Sequence, residues 1–277
     1  MHFPRRFRLA HAAAILAAVF LAACTPRDEA AVTRAGFFDP YEESNRTTHR
    51  LNRALDRALV RPAGNTYGGV VPSGVRDNVS NFAQNLSTPG MAVNHLLQGD
   101  LRAGGVNLYR FVVNSTLGMG GIIDAAGAFG VTAEETDFGE TLHVWGAPEG
   151  AYLELPVLGP STERDAVGRL VDLFTNPLSY ALPSPERHYA RAARVAKRLG
   201  NRSRYGDTVD SVLYESADSY AQTRMIYLQS RRFELGGDMD ALYADPYDTE
   251  GASAGSDPYE DPYADPYADP YADPYAD

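Results

Sequence analysis

The only cysteine of this 277-residue chain stands at position 24, at the end of an apolar run, and that placement limits how the rest can be held together. Arg5, Arg6 and Arg8 lead into the run, which extends from Ala12 to Ala23. It is too short for an ordinary spanning helix and has the flanks of an export signal. It stops at Leu21-Ala22-Ala23-Cys24, the pattern of a bacterial lipobox, in which small residues fit the signal peptidase and the cysteine sulfur takes a diacylglycerol. Lipidation at Cys24 leaves no thiol for a disulfide, although export delivers the chain to an oxidising space. Stability must then come from packing alone. Acyl chains gain about 0.8 kcal/mol per buried methylene and two or more anchor firmly, so a membrane location without a spanning segment is expected. Thr25 follows the cysteine where Asp would favour retention at the inner membrane, which points to the outer one.

The other end differs in kind. From Gly251 the chain settles into an Asp-Pro-Tyr-Ala repeat with no aliphatic side chain larger than alanine, and proline at every fourth position forbids a regular helix. Such a segment cannot build a core and is expected to be disordered. Residues 238–277 hold 12 acids and no base, so the formal net charge of −11 becomes +1 for residues 1–237. The expected organisation is therefore a signal over 1–23, a linker over 24–38 after the lipidated cysteine, one domain over 39–237, and an acidic tail over 238–277. The body is long enough for one core.

Asp39-Pro40 reads as an N-cap and first helical residue, with Glu42 and Glu43 favouring the helix dipole, and Pro62 as the stop. Between them Leu51, Leu55 and Leu59 share one face, and Arg46, Arg50, Arg53 and Arg57 the opposite one. Further helices are expected over Ser73 to Leu86, from Thr88 or Pro89 to Gly99, after Asp100, over Pro185 to Leu199 with Gly200 as terminator, and over Ser216 to Leu235. Ala151 to Leu155 alternates weakly, as a short strand would. The segment Gly118, Met119, Gly120, Gly121, Ile122, Ile123 and Asp124 is apolar yet glycine-rich, a composition that keeps backbone freedom rather than helix. Within it Asp124 reads as a capping residue. The fold class is mainly α.

Little in the chain suggests catalysis. Gly251-Ala252-Ser253-Ala254-Gly255 matches a hydrolase nucleophile elbow formally, but lies in the tail without the strand and helix that would present the serine. There is no phosphate-binding nucleotide loop, the histidines lack metal-helix spacing, and Asp238 to Thr249 departs from a calcium loop at its glycine and glutamate positions. No enzyme activity, cofactor, metal or nucleic-acid partner is expected. The composition of the tail reads first as a soluble spacer; its charge, opposite to that of the basic segment 186–204, offers the alternative of a loose, salt-sensitive attraction.

From Asp39 the chain resembles the MlaA (VacJ) lipoprotein family. The opening D-P-x-E-x-x-N-R-T stands as Asp39-Pro40-Tyr41-Glu42-Glu43-Ser44-Asn45-Arg46-Thr47. Arg61-Pro62, Asn85-Leu86, Thr88-Pro89, Leu97-Gln98-Gly99-Asp100, Asn114-Ser115-Thr116, Gly118-Met119-Gly120-Gly121, Asp137-Phe138-Gly139 and Ser216-Ala217-Asp218-Ser219-Tyr220 follow in order. The resemblance implies a ring-shaped helical monotopic protein in the inner leaflet of the outer membrane, with an amphipathic channel beside a flexible glycine-bearing hairpin. It implies intermembrane phospholipid transport: removal of mislocalised phospholipid from the outer leaflet, beside a trimeric porin, and delivery to the periplasmic carrier MlaC and an inner-membrane ABC transporter. On this reading Cys24 is the anchor, residues 118–124 form part of the gate, and Arg46, Arg50, Arg53 and Arg57 contact headgroups. A structural tether between envelope layers and a phospholipase are the competing classes. The arginine-rich first helix and the repeat tail depart from the family pattern.

Cys24→Ala is expected to block lipidation and leave the protein soluble or as a precursor, measured by membrane fractionation. Recovery of an active variant wholly in the outer membrane would refute the anchor.

Overall fold

A computed structural model of the chain describes residues 37–236, apart from the side chains of Ser179 and Arg187. Helix α1, Glu42–Leu55, begins with two acids in its first turn. The expected cap does not form: Tyr41 precedes the helix without a side-chain cap bond. Asp39 instead turns inward, accepting from Asn45 Nδ2 at 2.9 Å, from the Tyr220 hydroxyl at 2.5 Å and from Arg224. A cap contributes about 1 kcal/mol, whereas leaving a buried guanidinium without its counter-charge costs about 3–5 kcal/mol, so the carboxylate goes to Arg224.

Pro62 does not stop the first helix. A π turn, Asp56–Val60, follows α1 without a break in helical backbone and leads into α2, Arg61–Val70, with the proline in its first turn. The amide of Arg61 reaches back five residues to the Asp56 carbonyl. Widening the turn just before the proline relieves the clash its ring would make with the preceding turn.

Helix α3, Ser73–Asn85, and helix α4, Thr88–Gln98, follow as expected, and Gly99 ends α4 in the left-handed region at φ 82°. Asp100 caps α5, Leu101–Thr116, accepting from the Ala103 amide. Asp124 caps the short α6, Ala125–Ala128, and Asp137 caps α7, Phe138–Val144. The expected strand becomes β1, Tyr152–Leu155, paired antiparallel with β2, Gly159–Thr162, from Tyr152 opposite Thr162 to Leu155 opposite Gly159. Thr162 caps α8, Glu163–Thr175, and α9, Leu178–Ala181, comes next.

Helix α10, Glu186–Arg204, runs through Gly200 instead of ending there, and Tyr67 of α2 packs over that glycine. The two helices lie close: a Cβ at Gly64 would sit 3.2 Å from the Leu199 carbonyl oxygen, and one at Gly68 would overlap the Ser203 hydroxyl. Helix α11, Gly206–Asp210, passes into a second π turn, Ser211–Glu215, and α12, Ser219–Glu234, closes the described chain. Its cap is Asp218 rather than Ser216, whose hydroxyl donates to the Val212 carbonyl at 2.6 Å.

The packing makes a closed circuit. Helix α1 lies on β1, the hairpin on α8, α8 on α4 and α7, α4 on α3 and α5, α3 on α10, and α10 on α2, which continues α1. The apolar cluster within it is small: Phe37, Tyr152, Tyr220 and Leu228. Among the described residues, buried polar side chains such as Asn45, His49, Asn94, Asn107, Asn114 and Arg164 outnumber buried apolar ones. Large apolar residues face outward instead, among them Leu101, Leu108, Val112, Leu117, Met119 and Phe129. That inversion suits a chain whose outer surface meets lipid. No helix of the described residues is long and apolar enough to cross a membrane.

Removing the counter-charge with Asp39→Ala is expected to cost about 3–5 kcal/mol in denaturant unfolding, because Arg224 then keeps only the more distant Glu42, 3.5 Å away. Asp39→Ala with Arg224→Met should recover a substantial part of that loss; no recovery would mean the pair is not the linchpin.

Candidate functional site

The glycine segment turns back on the end of α5. Met119, Gly120 and Gly121 are left-handed in succession, at φ 54°, 76° and 95°. Gly120 donates to the Ser115 carbonyl at 3.1 Å and Ile123 to the Gly118 carbonyl at 3.0 Å. Two glycines are required for distinct reasons. A Cβ at Gly118 would stand 2.2 Å from the Ile123 carbonyl oxygen, and one at Gly121 would overlap the Asn85 side chain, whereas Gly120 has open space around it. The apolar side chains of Leu117, Met119, Ile122 and Ile123 project outward.

One polar face of α5 holds the returning chain. Asn107 and Arg110 donate to the Glu134 and Val131 carbonyls, and Asn114 both accepts from the Ala126 amide and donates to Asp124. Asp124 thus caps α6 as expected, and also accepts from Arg110 at 2.9 Å. Burial pushes its carboxyl up, but hydrogen bonds from Asn114, Gly127 and Arg110 outweigh that and hold it below its ordinary value. Helix α3 grips the same hairpin through amides: Asn85 donates to Ser115 Oγ at 3.0 Å and to the Gly120 carbonyl, Asn81 to the Ile122 carbonyl, and Gln84 to Glu135.

A cavity of about 540 Å³ opens between α4, the end of α8, α9 and α10. Met91, Leu173, Phe174, Leu178, Tyr180 and Leu182 give it apolar wall, and Asn94, Asn176, Arg191 and Arg194 polar wall. Its carboxylate, Asp172, is already engaged by Asn94, the Phe138 amide and Thr175. Neither Arg191 nor Arg194 has an ion-pair partner among the described residues. Burial, and then the like charge of Arg191, press the Arg194 guanidinium below its ordinary value. A half-buried guanidinium beside an exposed one, neither paired with a carboxylate among the described residues, forms a place for an anion. One turn on, Lys197 is also pressed down by burial and donates to Gln84, linking the cavity wall to the helix that grips the hairpin.

The four arginines of the first helix differ in their surroundings. Arg46 is taken by Glu42 at 2.7 Å and Asp218 at 2.8 Å. Among the described residues Arg50 reaches only Thr47, and Arg53 and Arg57 lie against Tyr214. Cys24, the nucleophile-elbow match, the calcium-like stretch and the acidic tail lie outside the described residues. Of the basic segment 186–204, Arg202 is bound to Asp56 and Asp210, and Arg204 to Asp77.

Sequence reading missed the cavity arginines as a site, although two basic residues three apart on a helix with a single acid were a usable signal. It also missed a buried series: Ser219 Oγ lies 3.1 Å from His49 Nε2, and His49 Nδ1 3.5 Å from Glu154 Oε1. The order is that of a hydrolytic triad. All three are buried, and the neighbouring amides of Tyr220 and Ala221, which could stabilise an oxyanion, are bound by Asp218. The series fastens α1 to α12 and β1. No group of three His, Cys, Asp or Glu among the described residues is arranged for a metal.

A closed helical circuit with polar interior, apolar exterior, an amphipathic cavity and a tethered glycine hairpin defines a protein of the membrane face, built to accommodate amphiphiles. A profile of the MlaA lipoprotein family matches residues 37–234, and the chain belongs to that family. The Intermembrane phospholipid transport system lipoprotein MlaA of Escherichia coli is 36% identical over 206 residues, spanning 73% of this chain and 80% of that protein. Its namesake in Haemophilus influenzae is 28% identical over 227 residues, 80% of this chain and 88% of that one. A structure solved in work on the structural basis for maintenance of bacterial outer membrane lipid asymmetry superposes with a TM-score of 0.62 at 34% identity, covering 71% of this chain and 98% of that chain.

Because the Asp124 carboxyl is lowered from 3.8, its contribution to the hairpin is present above that pH and lost as pH falls through the folded-state value. Hydrogen-exchange protection at Gly120 and Ile123 is expected to drop on acidification in that range. Asp124→Asn, which keeps a capping oxygen, should flatten the dependence.

Proposed function

We propose that this protein transports phospholipid between the membranes of the envelope, removing mislocalised lipid from the outer leaflet of the outer membrane through an amphipathic path and so maintaining lipid asymmetry. The observation that carries the reading is the Arg191–Arg194 pair in a cavity lined by both polar and apolar side chains. Moving an ionised phosphate through hydrocarbon costs many kcal/mol, and the barrier falls when guanidinium groups replace the water around it. Acyl chains meanwhile stay against apolar wall or lipid. The inverted surface and the family membership support the same assignment.

Cys24 is the proposed lipid anchor, seating the protein on the periplasmic side of the outer membrane. Residues 118–124 are the proposed gate, with α3 as its latch: opening would release the bonds from Asn81 and Asn85. Sequence motifs for nucleotide hydrolysis are absent, so an uphill step is assigned to a partner. The partners proposed, on family resemblance, are a trimeric porin, the periplasmic carrier MlaC and, through it, an inner-membrane ABC transporter. We assign the protein no catalytic step.

In a deletion strain complemented with Arg191→Gln and Arg194→Gln together, outer-leaflet phospholipid should rise, with transport slower by roughly ten- to a hundredfold, as expected for losing charge-assisted contacts of about 1.5–3 kcal/mol. Gly120→Val should also slow transport, with a stability loss of only about 1–2 kcal/mol for its left-handed backbone. Normal outer-leaflet lipid in both strains would favour a structural tether, and lysophospholipid release by the purified protein a phospholipase; either refutes the channel.

A further inference from the structure

Away from the cavity, both π turns meet at one aromatic ring. Tyr214 belongs to the second, and the guanidinium carbons of Arg53, Arg57 and Arg61 lie 5.4, 4.9 and 5.2 Å from its centroid. In an uninterrupted α-helix residues four apart advance by about 40°, so Arg53 and Arg61 would diverge by about 80°. The wider turn at Asp56–Val60 cancels part of that drift and keeps the three cations on one ring.

The charges in this cluster do not balance. Arg202 binds Asp56 at 2.9 Å and Asp210 at 2.5 Å, and Arg61 takes the other Asp210 oxygen at 2.5 Å. The Tyr214 hydroxyl donates to Asp56 at 2.8 Å. Both carboxylates are therefore engaged, and Arg53 and Arg57 have no ion-pair partner among the described residues. The Arg53 Nε is buried without a hydrogen-bond partner. Two guanidinium groups held side by side on a ring, with their mutual repulsion unrelieved, are organised for a bidentate oxyanion.

The surroundings identify the anion's source. Leu51 and Leu59, on the face of the same helical rod opposite the arginines, are 49% and 63% exposed, and Val60 is 38% exposed, so the rod has the amphipathic surface of a helix that lies at a membrane face. Arginine next to apolar surface at a membrane extends its stem along the hydrocarbon and its head to phosphate level. We propose that Arg53 and Arg57, supported by Tyr214, bind the phosphate of an anionic phospholipid headgroup at the membrane surface, as a fixed lipid site distinct from the cavity. The site seats the protein on its membrane and does not depend on the cavity being a transport path. Arg46, paired twice, is not part of it.

The test uses the full-length lipoprotein, delipidated in detergent and titrated with phosphatidylglycerol, with bound lipid counted by native mass spectrometry. Arg53→Gln with Arg57→Gln should remove one bound lipid, or weaken it about tenfold, and Arg191→Gln with Arg194→Gln should leave that lipid in place. The cavity variant thereby separates failure of this site from failure of the transport reading. Arg53→Lys with Arg57→Lys should retain part of the affinity, because lysine keeps the charge without the flat fork. Undiminished lipid binding in the folded glutamine variant would overturn the site. So would displacement of the lipid by inorganic phosphate, which assigns it to the free anion, or a preference for polyglutamate over lipid, which assigns it to an acidic partner. Should the double variant not fold, Arg57→Gln alone, at an exposed position, carries the same expectations.

Discussion

The seam where α1, the hairpin and α12 meet is held by one buried carboxylate. Asp39 comes from the first described residues and Arg224 from the last helix, and between them Asn45 donates both to Asp39 and to the Tyr152 carbonyl of β1. Asn45 also accepts from the Glu154 amide, so one side chain joins α1, the hairpin and the Asp39 site. The apolar cluster beside it, among the described residues, is small: Phe37, Tyr152, Tyr220 and Leu228, with Tyr227 packed against them. In such an interior the hydrophobic effect sets little of the geometry. The directional bonds of a few amides, carboxylates and guanidiniums set it instead, and each is costly to leave half-made.

That interior explains what was legible in the sequence. Helix boundaries marked by local chemistry were readable: Gly99 in the left-handed region, Asp100 and Asp124 as caps, and the end of α3 before Pro89. Boundaries decided by distant partners were not. Asp39 resembles a cap and serves Arg224; Gly200 resembles a terminator and accommodates Tyr67; Pro62 resembles a stop and is bypassed by a wider turn. Helix α8 was missed because its inward face is polar, with Arg164 and Asp165 buried, and α7 because its seven residues, although Phe138 and Leu142 are buried, are too few to show a period.

The candidate site divides the same way. The glycine segment was visible because its composition is incompatible with ordinary helix, and the structure adds which glycines are sterically required. The cavity arginines were hidden among other basic residues of α10. Arg202 and Arg204 of that helix are neutralised by Asp56, Asp210 and Asp77, acids far away in sequence or beyond a turn, whereas Arg191 and Arg194 are not. Which cations in a basic helix remain available is a property of the fold, and charge counting along the chain does not reveal it.

The π turn at Asp56–Val60 is where the length of this helical rod can change. Such a turn carries one residue more than the α-helix it interrupts. Deleting a single residue there would yield a regular rod in which Arg53 and Arg61, then seven positions apart, lie within about 20° of one another, so that Arg61 stays on the side of Tyr214, and Gly64 and Gly68 on the side of Leu199 and Ser203. The same deletion within α2, past the turn, would rotate everything beyond it by about 100°. Changes of length in the rod are thus confined to the turn and excluded between Arg61 and Gly68, where the spacing of the glycines is part of the fold's specification, independent of which residues stand between them.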